Sequence, residues 1–157
     1  MALPYELDYL LSGLAATPTV LRRLLAGAGQ GRPAGDEGWT PKEVVAHLRD
    51  AEEMTLGRYR QIVAEEGALL KAYDQEALAR ERQYGQTDLT EALAAFEQLR
   101  DQSLHVLSVL DEAGWQRAGR HEERGRQTLQ QLASTTAFHD LLHLRQITES
   151  LSESTSF

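Results

Sequence analysis

The sequence contains no cysteine, and this absence excludes several kinds of chemistry. Without thiols the chain has no disulfide framework, no thiolate metal site and no cysteine nucleophile. It also lacks any apolar run near the roughly 18 residues of a membrane-spanning helix, and its first residues, MALPYELDYLL, lack the basic region of a signal peptide. We therefore expect a cytoplasmic protein with no membrane partner.

Clusters of basic residues are absent as well. The 157 residues carry 16 Lys and Arg against 24 Asp and Glu, for a formal charge of −8, which opposes binding to nucleic acid or to anionic membranes. Hydrophobic residues at 41% and charged residues at 25% are typical of a globular protein. The length fits one domain, so we predict a single domain over residues 1–157.

Stretches rich in glycine or proline divide the chain into four helical blocks. The first block runs from Pro4 to Ala28, and Thr17 followed by Pro18 predicts a kink or break in it. The other blocks each begin at a capping residue with a partner three positions later. These pairs are Thr40 with Glu43, Asp88 with Glu91, and Thr128 with Gln131. No segment shows the alternation of a strand, so the predicted fold class is all-α.

A connection of about 20 residues, GALLKAYDQEALARERQYGQ, separates the second and third blocks. Its composition predicts a short helix from Asp74 to Arg82. Because long connections in compact domains are often functional, we expect this one to cover a site.

Two histidines lie in TTAFHDLLHLRQI, residues 135–147. His139 and His143 are four residues apart on the inward face of the fourth helix, so their Cβ atoms lie about 5–6 Å apart, within reach of one ion. His47 lies on or beside the inward face of the second helix and is the natural third ligand. The alternative is that each is a core histidine whose ring nitrogens are satisfied by hydrogen bonds.

The remaining histidines favour other interpretations. His105 falls on a polar helix face and His121 in the charged loop RHEERGR, so both are predicted to be solvated. The spacing HDLLH also approaches the zinc protease pattern H-E-x-x-H, but Asp140 replaces the glutamate that serves as base there. A protease of that type is therefore disfavoured.

Four stretches resemble the DinB-like superfamily of four-helix bundles, which includes YfiT-type predicted metal-dependent hydrolases and related thiol transferases. They are GWTPKEVVAHLRDAE (38–52), AYDQEALARERQY (72–84), EALAAFEQLR (91–100) and TLQQLASTTAFHDLLHLRQI (128–147). The resemblance implies an up-down-down-up bundle, often a homodimer. It also places His47, His139 and His143 at three metal-ligand positions, with zinc or nickel as the usual occupant.

Four further residues are candidates near the site, each with a second interpretation: the resemblance points to Gln146 and Arg100, and position on the second helix after His47 points to Asp50 and Glu53. Gln146 reaches the ion or its water, or is one more polar residue near a helix end. Asp50 and Glu53 orient an imidazole, or lie on a solvated helix face. Arg100 binds an anionic group of the substrate, or forms a surface ion pair with Glu97 or Asp101.

Three histidines leave one position open on the metal, as in catalytic rather than structural zinc sites. We expect the metal to activate a nucleophile against a small electrophile, first of all in thiol transfer, with an external low-molecular-weight thiol as co-substrate, or else in hydrolysis. The alternatives are a non-catalytic stress-response or metal-binding bundle, and histidines that serve packing alone.

Overall fold

A computed structural model describes residues 4–26 and 38–154, and four long helices dominate it. The long helices are α1 (Tyr5–Leu25), α2 (Pro41–Ala64), α4 (Leu89–Ser108) and α6 (Leu129–Ser154). The short elements between them are β1 (Leu69–Leu70), α3 (Gln75–Glu81), a 3-10 turn (Tyr84–Gln86), α5 (Glu112–Trp115), β2 (Ala118–His121) and β3 (Gly125–Thr128). Helices α1 and α2 each pack against both α4 and α6, which confirms the predicted four-helix bundle. The up-down-down-up order of helix directions stays a prediction.

The helices begin where the capping pairs predict. The side chain of Gln131 accepts from the backbone N–H of Thr128 (2.9 Å), and Thr128 Oγ1 accepts from the N–H of Gln131 (3.0 Å). Asp88 and Glu43 make corresponding bonds at the starts of α4 and α2. The predicted short helix is confirmed as α3, because Asp74 Oδ1 caps its first turn.

Of the kink or break predicted at Thr17 and Pro18, the break is wrong. Helix α1 continues through Pro18, and Thr17 caps nothing, because its hydroxyl donates to Asp140 Oδ2 at 2.7 Å. Leu14 and Leu21 are fully buried on either side of the proline. Packing of this face outweighs the backbone hydrogen bond that a proline removes. The end predicted at Ala28 lies outside the described residues.

A small sheet corrects the prediction that no segment is a strand. Strand β2 pairs in parallel with β1 and antiparallel with β3, with His121 opposite Gly125 at the hairpin end. Gly125 has φ of +78°, the left-handed conformation that closes a three-residue hairpin loop. The strands, of two to four residues each, are too short for alternation to reveal them.

The interior of the bundle has two apolar clusters with a layer of polar side chains between them. One cluster includes Leu14, Tyr59 and Trp115, and the other includes Leu21, Leu48 and Phe96. The polar layer takes one side chain from each long helix. Its members are Thr17, Glu52, Arg100 and Asp140, all at least 96% buried. No helix within residues 4–26 and 38–154 is both long and apolar enough to cross a membrane.

Candidate metal centre

The three predicted histidines meet between α2 and α6. His139 Nε2 lies 2.9 Å from His47 Nε2 and 3.2 Å from His143 Nε2. Their potential ligand atoms all lie within 4.8 Å of one another. His47 is buried and the other two are half-buried. The chain thus presents three imidazole nitrogens to one point beside the bundle interior.

Neighbouring side chains hold two of the rings in place. His143 Nδ1–H donates a hydrogen bond to Gln146 Oε1 at 2.8 Å, which leaves the Nε2 lone pair directed at the other histidines. Trp39 packs against the ring of His47 with centroids 5.0 Å apart. Gln146 therefore acts on an imidazole, whereas sequence reasoning gave it the ion or its water. Sequence reasoning did not identify Trp39.

Burial keeps the three rings uncharged. Loss of solvation, followed by repulsion from the neighbouring rings, lowers the pKa of His47 to about 3. Burial lowers the pKa of His139 to about 4, and it lowers the pKa of His143 as well. Neutral imidazole is the form that binds a metal, so all three rings have the right protonation state at neutral pH.

The donor set fits a divalent transition metal. Tetrahedral zinc with bonds of about 2.0–2.1 Å to nitrogen separates its ligand atoms by about 3.3 Å. The two distances from His139 Nε2, 2.9 and 3.2 Å, are close to that value. Imidazoles without thiolates suit zinc, nickel, copper or iron. Three ligands from the protein leave a position for water or substrate.

The carboxylates proposed to orient an imidazole have other partners. Asp50 is buried, but its oxygens accept from Tyr84 Oη (2.6 Å), Arg82 Nη1 (2.7 Å) and Arg49 Nε (2.9 Å). Its charge raises the pKa of His47, although burial dominates that pKa. Glu53 is exposed and pairs with Arg82, which fits the solvated helix face. Asp50 thus ties α2 to the connection that follows it.

Arg100 is buried, and it forms ion pairs with two buried carboxylates. It donates two hydrogen bonds to Asp140 (2.7 and 2.9 Å), one to Glu52 Oε2 (2.8 Å) and one to the carbonyl of Leu14 (2.8 Å). These bonds raise the pKa of Arg100 above its usual range, although burial opposes its charged form. The predicted surface ion pair with Glu97 or Asp101 is therefore wrong, and binding of an anionic substrate group by Arg100 stays a prediction. Because Asp140 is engaged here, it is not available as the base of a protease-like site.

The other two histidines differ from each other. His105 is exposed on α4, as predicted. His121 is 4% exposed, which overturns its assignment as solvated. Its Nδ1 accepts from the backbone N–H groups of Glu123 and Arg124 (3.1 and 3.2 Å), so it closes the hairpin loop. The glycine of the loop RHEERGR was the available sequence signal for a hairpin.

A cavity of about 280 Å³ lies between α2 and α6 and reaches His139. We call it the α2–α6 cavity. Leu48, Glu52 and Arg58 line it from α2, and the hairpin contributes His121 and Arg124. Ala72, Tyr73 and Gln75 form another part of its wall. The connection between the second and third long helices therefore borders a cavity next to the histidines, in agreement with its predicted role.

The family follows from a comparison over most of the chain. Residues 11–147 match the model of the DinB superfamily. The chain belongs to the DinB superfamily. This confirms the resemblance seen in its helical stretches.

Two curated relatives carry related names. The first, "Putative metal-dependent hydrolase YfiT" from Bacillus subtilis (strain 168), is 26% identical over 118 residues, 74% of this chain. The second, "Putative metal-dependent hydrolase OB0782" from Oceanobacillus iheyensis, is 27% identical over 111 residues, 71% of this chain. The matched stretches span 66% and 64% of the lengths of these relatives, just under two thirds.

Solved structures of similar proteins share the fold. The structure of YfiT from Bacillus subtilis, described as "a probable metal-dependent hydrolase with an unusual four-helix bundle topology", matches with a TM-score of 0.89 and 24% identity, over 98% of this chain and 90% of that one. The crystal structure of TT2238, "a four-helix bundle protein", matches with a TM-score of 0.65 and 23% identity, over 92% of this chain and 99% of that one. At these identities the likeness establishes the fold alone.

Proposed function

We propose that this chain is a metal-dependent hydrolase of a small molecule, with His47, His139 and His143 as the ligands of one divalent ion. The observation that carries this proposal is the convergence of three uncharged imidazoles beside the α2–α6 cavity. The names of the two curated relatives support it. Zinc or nickel is the expected metal.

When bound, an ion held by three imidazoles acts as a Lewis acid and makes water more acidic. The residues of the chain supply the rest. Gln146 fixes the ring of His143, Trp39 packs on His47, and the cavity gives the substrate a place beside His139. Glu52, which lines the cavity, has a buried Oε1 without a hydrogen-bond partner among the described residues. This oxygen can accept a proton or a hydrogen bond from the substrate side.

The test begins with protein purified without a histidine tag. Elemental analysis should find about one divalent transition metal per chain. The protein should then hydrolyse at least one member of a panel of small esters and amides. His143→Ala should lower that activity at least about 100-fold, which corresponds to about 2.7 kcal/mol of transition-state stabilisation.

His105→Ala is the matched control, because it removes an exposed histidine from α4. It should leave metal content and activity unchanged. Fully metallated protein without turnover on the panel would contradict the proposal, as would full activity in His143→Ala. Thiol transfer, which the family resemblance implies, stays a prediction, and the same screen tests it when a small thiol is added with an electrophile.

A further inference from the structure

The wall of the α2–α6 cavity includes two guanidinium groups that the proposed hydrolysis does not use. Arg58 comes from α2 and Arg124 from the loop between β2 and β3. Neither makes an ion pair with a carboxylate in residues 4–26 and 38–154, in contrast to the buried Arg100. The Arg58 guanidinium donates to the carbonyl of Lys71 at 2.6 Å and lies 5.7 Å from the centre of the Tyr73 ring.

The two arginines lie close enough to influence each other. Burial lowers the pKa of Arg58, and the positive charge of Arg124 lowers it further. Two cations near one another on one cavity wall repel, unless an anion lies between them. The planar fork of arginine matches carboxylate and phosphate groups. Glu123 also lines the cavity beside Arg124, but it is exposed, and two cations against this one carboxylate leave a net positive charge that suits an anion.

The end of the cavity nearer the histidines has the opposite character. Glu52 and Asp140 line it, and they share the single positive charge of Arg100. The Oε1 atom of Glu52 is buried and has no hydrogen-bond partner in the described part of the chain. A buried carboxylate oxygen without a donor indicates a group that is supplied by a ligand or by water. The two carboxylates also disfavour an anion at that end.

Helix geometry sets the length of the ligand. Arg58 follows Glu52, which lines the other end of the cavity, by six positions on α2, about 9 Å along the helix axis. A long arginine side chain shortens the gap by several ångströms. The cavity of about 280 Å³ accommodates a small organic molecule. Part of its wall is apolar and consists of Leu48, Ala51 and Leu132.

We propose that the α2–α6 cavity binds a small organic anion, with its carboxylate or phosphate between Arg58 and Arg124 and its other end at Glu52 and His139. This inference rests on the proposed function only in calling the bound anion a substrate. Binding itself does not require the metal site to be active.

The test measures binding of three probes to the full chain by calorimetry and by NMR. Benzoate and phenyl phosphate are the anionic probes, and benzamide is the neutral analogue of benzoate. Both anions should bind more tightly than benzamide. The double variant Arg58→Gln/Arg124→Gln should weaken binding of the anions at least about tenfold and leave benzamide unchanged. The ratio of benzoate to phenyl phosphate affinity identifies which anion the pair prefers.

Arg60→Gln/Arg120→Gln is the matched control. It removes the same charge from the same helix and the same β2–β3 hairpin, but neither residue lines the cavity. It should bind all three probes as the unmodified chain does. Arg58→Lys/Arg124→Lys keeps the charge and should bind the anions better than the glutamine variant. Circular dichroism identifies any variant that fails to fold. If the glutamine variant does not fold, the affinities of the lysine variant for the three probes are compared with those of the unmodified chain instead.

The same measurements in His143→Ala separate this inference from the proposed hydrolysis. Arginine-dependent anion binding in that variant supports the inference even if no hydrolysis is found. The inference would be overturned if benzoate bound equally well to the unmodified chain, to Arg58→Gln/Arg124→Gln and to Arg60→Gln/Arg120→Gln. Tighter binding of benzamide than of either anion would also overturn it.

Discussion

Gln146 shows how one side chain orients a proposed metal ligand. Its hydrogen bond with His143 Nδ1 fixes the ring orientation and the tautomer. The imidazole therefore loses less conformational entropy when an ion binds. Gln146→Leu should therefore weaken metal affinity about tenfold or more, without loss of folding. Titration of metal-free protein with zinc in the presence of a competing chelator measures this. Gln61→Leu, the same change at an exposed position of α2, should have no effect, and equal affinities for both variants would contradict the role of Gln146.

Arg100 is the residue whose loss should cost the most stability in the polar layer. Arg100→Met leaves Glu52 and Asp140 buried without their partner, and such a change typically costs about 3–5 kcal/mol. Urea denaturation measures this difference. Adding Glu52→Gln and Asp140→Asn to Arg100→Met removes the uncompensated charge and should recover part of the loss.

The exposed pair of Arg22 with Glu97 provides the comparison for Arg100. Arg22→Met should cost no more than about 1 kcal/mol, because exposed ion pairs contribute little. Equal costs for Arg22→Met and Arg100→Met would mean that the buried bonds do not stabilise the bundle.

At the scale of the elements, Gly119 allows β1 and β2 to approach. A Cβ atom there would lie 2.9 Å from the Leu70 side chain and 3.0 Å from the carbonyl oxygen of Ala68. Gly119→Ala should therefore destabilise the protein, by about 1–3 kcal/mol, because the backbone of β1 has to move. Gly57→Ala adds the same methyl group to α2, where nothing lies within 4 Å, and should stabilise by up to about 1 kcal/mol. Thermal melting of both variants tests the pair, and a stabilising Gly119→Ala would contradict the packing of β1 on β2.

The helices were easier to predict than the sheet, because helix caps join residues close together in the sequence, whereas strand pairing joins residues far apart. A cap such as Thr128 with Gln131 involves residues three apart, so the sequence contains the whole motif. Pairing of β1 with β2 joins residues about 50 positions apart, and neither strand is long enough to show alternation. Contacts between residues far apart in the sequence, such as Thr17 with Asp140, also explain why the continuous helix through Pro18 was not predicted.

At the candidate site, too, some features were predictable from the sequence and others were not. The convergence of His47, His139 and His143 was predictable from helical periodicity, which places each on an inward face. Arg100 was misjudged because charged residues are seldom fully buried, although its spacing from Phe96 and Leu107 places it on the buried face of α4. The cavity could not be predicted, since its walls come from elements whose contacts are set by the whole fold.

For the whole molecule, removal of the metal should lower thermal stability without unfolding the bundle. An ion that binds only the folded chain adds about 2.7 kcal/mol when it is present at 100 times its dissociation constant. For a domain of this size that corresponds to about 5–10 °C in melting temperature. The helical circular dichroism signal should persist in EDTA, because neither apolar cluster contains a metal-ligating histidine. EDTA should not change the melting temperature of His143→Ala, and an equal shift in that variant would show that the metal binds elsewhere.

The polar layer also fixes the position of each long helix along its own axis relative to the other three. Apolar side chains can exchange neighbours at modest cost, whereas Arg100 has to meet Glu52 on α2, Asp140 on α6 and the Leu14 carbonyl on α1 together. Sliding either α2 or α6 by a single residue moves it about 1.5 Å and breaks these bonds. The same slide would separate His47 from His139, which precedes Asp140 directly. Helix α4 carries none of the three clustered histidines, yet its arginine keeps the two helices that carry them aligned. We therefore expect Arg100→Met to weaken metal affinity in a zinc titration.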